Sequence, residues 1–175
     1  LDAPPEAMEE VLQGPSLIHL PGRRQPPLFV STLLHGNETS GIKALQRLLA
    51  PYRDRPLPRS LSLFIGNVAA ARHGLRRLEG QPDYNRIWPG GAARDSEEAR
   101  MTAYVVEQMR RRGVFASIDI HNNTGHNPHY ACINRLEPHF LSLASLFSQR
   151  IVYFTRPRGV QSLAFAELCP AATLE

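Results

Sequence analysis

The 175-residue chain predicts an α/β fold: a three-layer α/β/α sandwich around a mostly parallel mixed sheet. Two observations carry that expectation. Short apolar, β-rich runs stopped by turn residues alternate with segments of helical periodicity, the pattern of strands joined by crossover helices. The length suits one domain with a sizeable core, and no internal repeat or low-complexity tract competes with that reading.

Residues 1–27 are rich in proline and charge and contain the apolar stretch "SLIHL", so they are expected to form an N-terminal arm or an edge strand. "PLFVSTLLHG" (27–36) reads as a buried parallel strand ended by glycine. Thr39 or Ser40 can cap the helix that follows, whose Ile42, Leu45, Leu48 and Leu49 share a face. "PYRDRPLPRS" breaks that helix and "LSLFIGNV" (61–68) is a second strand. Residues 69–95 carry little periodicity and many Gly, Pro, Arg and Asp, and are expected to form a long, functional loop. "DSEEARMTAYVVEQMRRRG" has Asp95 or Ser96 as cap, acids in its first turn, arginines in its last and a terminal glycine, which specify a helix. "VFASIDIHN" (114–122) and "HYACIN" (129–134) read as the third and fourth strands. A helix over "EPHFLSLASLFSQR", a strand "IVYFT", a short helix "SLAFAELC" and a last strand "AATLE" complete the order.

Composition narrows the function. Hydrophobic residues make up 42% and charged residues 21%, ordinary for a globular protein. The net charge of +4 would suit a polyanion, but the basic residues are dispersed and no aromatic–basic platform accompanies them, so no nucleic-acid partner is expected. No apolar run is long enough to span a bilayer and the N-terminus lacks a signal-peptide pattern, so the expected location is the cytoplasm. Cys132 and Cys169 sit in apolar stretches and read as free, buried thiols.

Chemistry gathers at the strand ends, where open α/β sheets bind ligands. "LLHGNETSG" places His35 and Glu38 in a turn after the first strand. His121 leaves the third strand within "DIHNNTG", and Glu175 ends the last. Two imidazoles and one carboxylate with a position left open make a catalytic zinc site, one ion per chain. Gly36 is expected to let the backbone turn sharply so that the pair converges. Asp119, two residues before His121 on the same strand, can orient that imidazole where local geometry permits. "DYNRIWPG" (83–90) offers Asn85 and Arg86, whose guanidinium could grip a carboxylate by two hydrogen bonds. The general base is a choice between Glu167, on an amphipathic helical stretch, and Glu175, an acid that is costly at the end of an apolar strand unless a site uses it.

These motifs resemble the zinc-dependent metallocarboxypeptidase superfamily, and within it the succinylglutamate desuccinylase/aspartoacylase branch. "HGNETSG", "NVAAARHGLRRLEGQPDYNRIWPG" and "DIHNNTG" occur in that family's order and spacing, and "AATLE" resembles its general-base strand. The likeness covers about residues 28–175, which it implies to be a zinc-hydrolase catalytic domain. That domain is expected to be incomplete at its C-terminus, since family members continue into further strands and often a β-rich domain. The resemblance implies His35, Glu38 and His121 as zinc ligands and Asn85 and Arg86 as the binders of a substrate carboxylate. Arg76 would polarise the scissile carbonyl, with Arg77 one residue away, and Glu175 would be the base. No arginine follows Arg158 before the last strand, where deacylases of this kind carry one, so aspartate or succinylglutamate specificity is not implied. The partner is then a small-molecule or short-peptide substrate with a free carboxylate, and neither nucleic acid nor membrane. Deacylation of N-acyl amino acids competes with carboxypeptidase action on short peptides, and with a zinc- and carboxylate-binding module that does not catalyse. His126 and His129 could line the pocket, Tyr130 is expected in the core, and Trp88 is expected to anchor packing beside the arginine loop.

Overall fold

The structure is a computed structural model that describes residues 2–92, 95–123 and 125–175. One seven-stranded mixed sheet organises it, in the order β1-β3-β2-β4-β7-β5-β6. The strands are β1 (Ser16–Leu20), β2 (Leu28–Thr32), β3 (Leu61–Ile65), β4 (Ala116–Ile120), β5 (Ala131–Ile133), β6 (Ile151–Tyr153) and β7 (Ala171–Leu174). The four central strands β3, β2, β4 and β7 run parallel, so Ile65, Thr32, Ile120 and Leu174 end at one edge. β1 pairs antiparallel with β3 at the border, so "SLIHL" is an edge strand. β5 pairs antiparallel with β7 and carries β6 parallel on its far side.

Alternation along β2 divides the core. Phe29 faces a cluster containing Val105 and Met109 of α4 (Glu97–Arg112) and Phe165 of α6 (Gln161–Phe165). Its neighbour Val30 faces the other way, onto Leu45 of α2 (Ser40–Leu49). Helices therefore cover both faces, as the apolar runs require. Phe29 stacks on Phe165 with ring centroids 4.2 Å apart, and Trp88 sits edge-on to Phe64 and Phe165 at 5.6 and 6.0 Å. Trp88 is thus a packing anchor, with its indole N–H donating to the Tyr84 carbonyl at 2.9 Å. Both cysteines are free and buried. Among the described residues no helix is long and apolar enough to cross a membrane.

The expectations for local structure need four corrections. The 69–95 segment, of which residues 93 and 94 lie outside the described set, is not wholly a loop. It begins inside α3 (Val68–Arg72), with Ala70 N–H donating to the side chain of Asn67 at 3.1 Å. Five residues span less than two turns, too few to register as periodicity. The side chains of Thr39 and Ser40 do not cap α2; the Ser40 N–H instead donates to Asn122 Oδ1 at 3.2 Å, a cap 82 positions away. Leu48 does not join the apolar face of α2 and is 61% exposed. The left-handed residue at the exit of β2 is Leu33, with φ of 54°, and not Gly36.

Gly36 is required for another reason. A Cβ built there would lie 2.3 Å from the Ala71 nitrogen and 2.4 Å from the Ala70 carbonyl carbon, both backbone atoms of α3. The turn bearing His35 and Glu38 thus rests directly on a helix backbone, and only hydrogen fits between. Gly36→Ala is expected to lower the free energy of unfolding by at least about 1–3 kcal/mol, the usual range for an overpacked interior, as measured by urea denaturation.

A candidate metal and substrate site at the strand ends

His35 and Glu38 leave β2, and His121 leaves β4, the strand beside it in the sheet. One ligand atom from each of the three lies within 4.8 Å of the others, and all three residues are buried. Glu38 sits between the rings: its Oε1 is 2.7 Å from His35 Nδ1 and its Oε2 is 2.7 Å from His121 Nδ1. The opposite nitrogens meet carboxylates as well. His35 Nε2 lies 2.9 Å from Asp83 Oδ1, and His121 Nε2 lies 2.7 Å from Asp119 Oδ2. Ser31 Oγ donates to the other oxygen of Asp119 at 2.7 Å. Asp83 and Asp119 can each hold a proton on the Nε2 they face when a metal takes Glu38 and both Nδ1 atoms, so the donor set suits a divalent ion.

Electrostatics follow this geometry. Burial alone would raise the Glu38 carboxyl, but hydrogen bonds from His121 and His35 outweigh it and hold the group down at about 2. Burial alone would lower both imidazoles; Asp83 and Glu38 raise His35, and Asp119 and Glu38 raise His121 well above its ordinary value. Burial likewise opposes ionisation of Asp83, yet the hydrogen bond from His35 keeps its pKa well below the usual range.

A cavity of about 240 Å³ opens over these residues, and Arg76, Asn85, Arg86, Asn122, Asn123, Tyr130 and Glu175 complete its lining. Arg76 donates to Asp83 Oδ2 at 3.0 Å and approaches Glu38 Oε1 at 3.5 Å. Arg77 turns away and donates to the Gln81 carbonyl at 3.0 Å. Asn85 is held from both ends, its Oδ1 accepting from Gln161 N–H at 2.9 Å and its Nδ2 standing 3.2 Å from His121 Nε2. Arg86 donates to the Asn85 carbonyl at 2.6 Å and is otherwise exposed at the rim. Glu175 is in the cavity, with its carboxyl raised by burial and by the charges of Glu38 and Asp119 against the opposing pull of His121. Glu167 is elsewhere, on the surface, paired with Arg135 at 2.6 Å.

All seven sequence-derived site residues therefore meet at one place. Thr124 of "DIHNNTG" lies outside the described residues. His129 lines a neighbouring cavity of about 400 Å³, His126 lines neither, and Tyr130 is not a core residue but half-buried in the cavity wall. Asp83 was the residue that sequence reasoning missed. It stands in the quoted "DYNR", but its partner His35 is 48 positions away and nothing local announces the pairing.

Comparisons with known proteins place the chain in a family. Residues 24–174 match the model of the succinylglutamate desuccinylase/aspartoacylase catalytic domain. The chain belongs to that family. Its relatives include a succinylglutamate desuccinylase of Pseudomonas fluorescens, 41% identical over 86 residues that cover 48% of this chain and 25% of that protein. Another, from Pseudomonas putida, is 39% identical over 107 residues, covering 59% and 30% respectively. The match thus spans about a quarter to a third of the curated relatives' length. Among solved structures, a Chromobacterium violaceum succinylglutamate desuccinylase superimposes with a TM-score of 0.72 at 20% identity, covering 100% of this chain and 66% of that one. A Burkholderia cenocepacia metallo-carboxypeptidase gives 0.65 at 19% identity, covering 91% and 51%. Both share the fold, a mixed sheet with a parallel centre.

Two measurements test the ligand cluster. Asp119→Asn and Asp83→Asn are each expected to weaken Zn²⁺ binding about 10–100-fold by calorimetry, because each replaces the anionic acceptor behind an imidazole by a neutral amide. Since the carboxylates raise both imidazoles, metal uptake must displace protons, so Zn²⁺ affinity is expected to fall steadily as pH is lowered from about 8 to 6.

Proposed function

We propose that the chain is the catalytic part of a zinc-dependent hydrolase that releases an amino acid from its N-acyl derivative by cleaving the amide bond next to a free carboxylate. The observation that carries the reading is the content of one cavity: His35, Glu38 and His121 at its floor, Glu175 beside them, and Arg76 and Arg86 on the loop wall. Membership of the succinylglutamate desuccinylase/aspartoacylase family supports it.

In this scheme His35, Glu38 and His121 would hold one Zn²⁺ per chain. The ion would supply Lewis-acid polarisation of the carbonyl and acidification of water. Arg86 receives the substrate carboxylate on its planar fork, and Asn85 offers one further N–H beside it. Arg76, drawn toward Glu38 and Asp83, presents positive charge where the carbonyl oxygen becomes negative. Glu175 takes a proton from the attacking water and delivers it to the departing nitrogen, leaving an amine and a carboxylic acid. Its raised carboxyl suits both halves of that transfer, because a carboxylate that holds a proton more readily can both take it and return it.

Three outcomes are expected. Glu175→Gln should retain Zn²⁺ and lose about 10²–10⁴-fold in turnover of N-acyl amino acids, whereas Glu167→Gln should be nearly silent; the reverse pattern would move the base to the helix. The acid limb of kcat/KM should lie above the ordinary glutamate range, with activity rising as Glu175 loses its proton. Arg86→Lys should raise KM far more than it weakens Zn²⁺ binding, because the charge remains while the two-pronged grip goes. Equal turnover of substrates with and without the carboxylate would remove Arg86 from the scheme.

A further inference from the structure

The cavity has two unlike walls. Its arginines, Arg76 and Arg86, both come from the loop that follows α3. The facing wall is built by Asn122 and Asn123, which follow β4, and by Tyr130, which precedes β5. Among the described residues no arginine or lysine lines that second wall, and Glu175 stands at its base.

Tyr130 is held there by backbone and side chain alike. Its N–H donates to the Glu175 carbonyl at 3.2 Å, and the Glu175 N–H donates back at 3.0 Å. The two residues thus form a directly opposed antiparallel pair, whose side chains rise on the same side of the sheet. The hydroxyl meets the Asn123 carboxamide at 3.0 Å. Which end of that carboxamide faces it is fixed by the other contacts. The Asn123 oxygen already accepts from the Gly125 backbone N–H at 2.9 Å and from Asn127 Nδ2 at 2.8 Å. A backbone N–H can only donate, so the oxygen must face Gly125 and the Nδ2 group must face Tyr130. The phenol oxygen therefore accepts, and its own proton is not used by Asn123. Among the described residues this is the only hydrogen-bond partner of the Tyr130 hydroxyl. Asn122 cannot take over the role, since its carboxamide is engaged with Ser40 at the start of α2.

We propose that Tyr130 is a substrate-binding residue on the acyl side, donating its hydroxyl proton to a neutral hydrogen-bond acceptor in the acyl group. The inference rests on the hydrolase reading above and narrows its substrate class. With the carboxylate drawn to Arg86, the acyl group extends to the wall that carries no cation. A second carboxylate there would lose its hydration beside Glu175 with no positive partner. A neutral carbonyl, such as that of a peptide-like acyl group, instead meets a donor whose place is set by Asn123. The preferred substrate carries one carboxylate on its amine side and an uncharged acceptor on its acyl side.

The test compares two substrates built on the same amino acid, one N-acetylglycyl and one N-pentanoyl, which match in chain length and differ in the acceptor. The wild-type chain at full length should favour the acetylglycyl compound, and Tyr130→Phe should reduce kcat/KM for it about tenfold while leaving the pentanoyl compound within about twofold. Zn²⁺ stoichiometry, melting temperature and the acid limb of the pH profile should not change. A wild-type enzyme that prefers the pentanoyl or an N-succinyl substrate overturns the assignment, as does an equal loss on both compounds. A shift of the acid limb in Tyr130→Phe would show that the phenol acts through Glu175 and not on the substrate. Absence of turnover of any N-acyl amino acid by the wild-type chain would fell the hydrolase reading and this one with it, and is distinguishable from the other outcomes for that reason.

Discussion

Two imidazoles each caught between two carboxylates are the constraint on which this structure turns. His35 lies between Glu38 and Asp83, His121 between Glu38 and Asp119. Asp119 is fully buried and Glu38 nearly so, and charges so placed are costly unless every one has a partner. Pairing demands that the exits of two neighbouring parallel strands and the distant 73–92 loop reach the same point. The turn after β2 must then press on the backbone of α3, which is why position 36 has no room for a side chain. Ser31 must stand beside Asp119 across the β2–β4 ladder, where the register places it. Left-handed Leu33, fully buried, accepts an uncommon conformation to aim the turn.

How much of this could be read in the sequence depends on the range of each interaction. Local signals served well. Ser96, one of the two caps that the sequence offered, caps α4 through Ala99 N–H, and the apolar runs became the strands of the sheet. His35, Glu38, His121 and Glu175 could be singled out because each stands at or just beyond a strand end, where polar atoms have few structural uses. What escaped was long-range or compensatory. Asn122 capping a helix 82 residues earlier has no sequence signature, and nor does the Asp83–His35 pair. Gly36 was correctly seen as necessary, but on grounds of backbone freedom; the real reason is contact with a helix too short to be recognised. Tyr130 sits in an apolar run and reads as core, yet the register opposite Glu175 puts it in the cavity wall.

The order of the sheet has a consequence for how the molecule is assembled. β7 lies between β4 and β5, and β5 and β6 reach the other strands only through it. Until Ala171–Leu174 is in place, the sheet consists of a four-stranded piece and a two-stranded piece with no ladder between them, each showing an open edge. The strand that joins them also brings Glu175 to the site. Closing the sheet and completing the cavity are therefore a single event, and it depends on pairings between segments about fifty residues apart, the slow kind to form. A half-assembled chain would have unpaired strand edges and a cavity without Glu175. Its exposure to self-association ends at the step that completes the cavity.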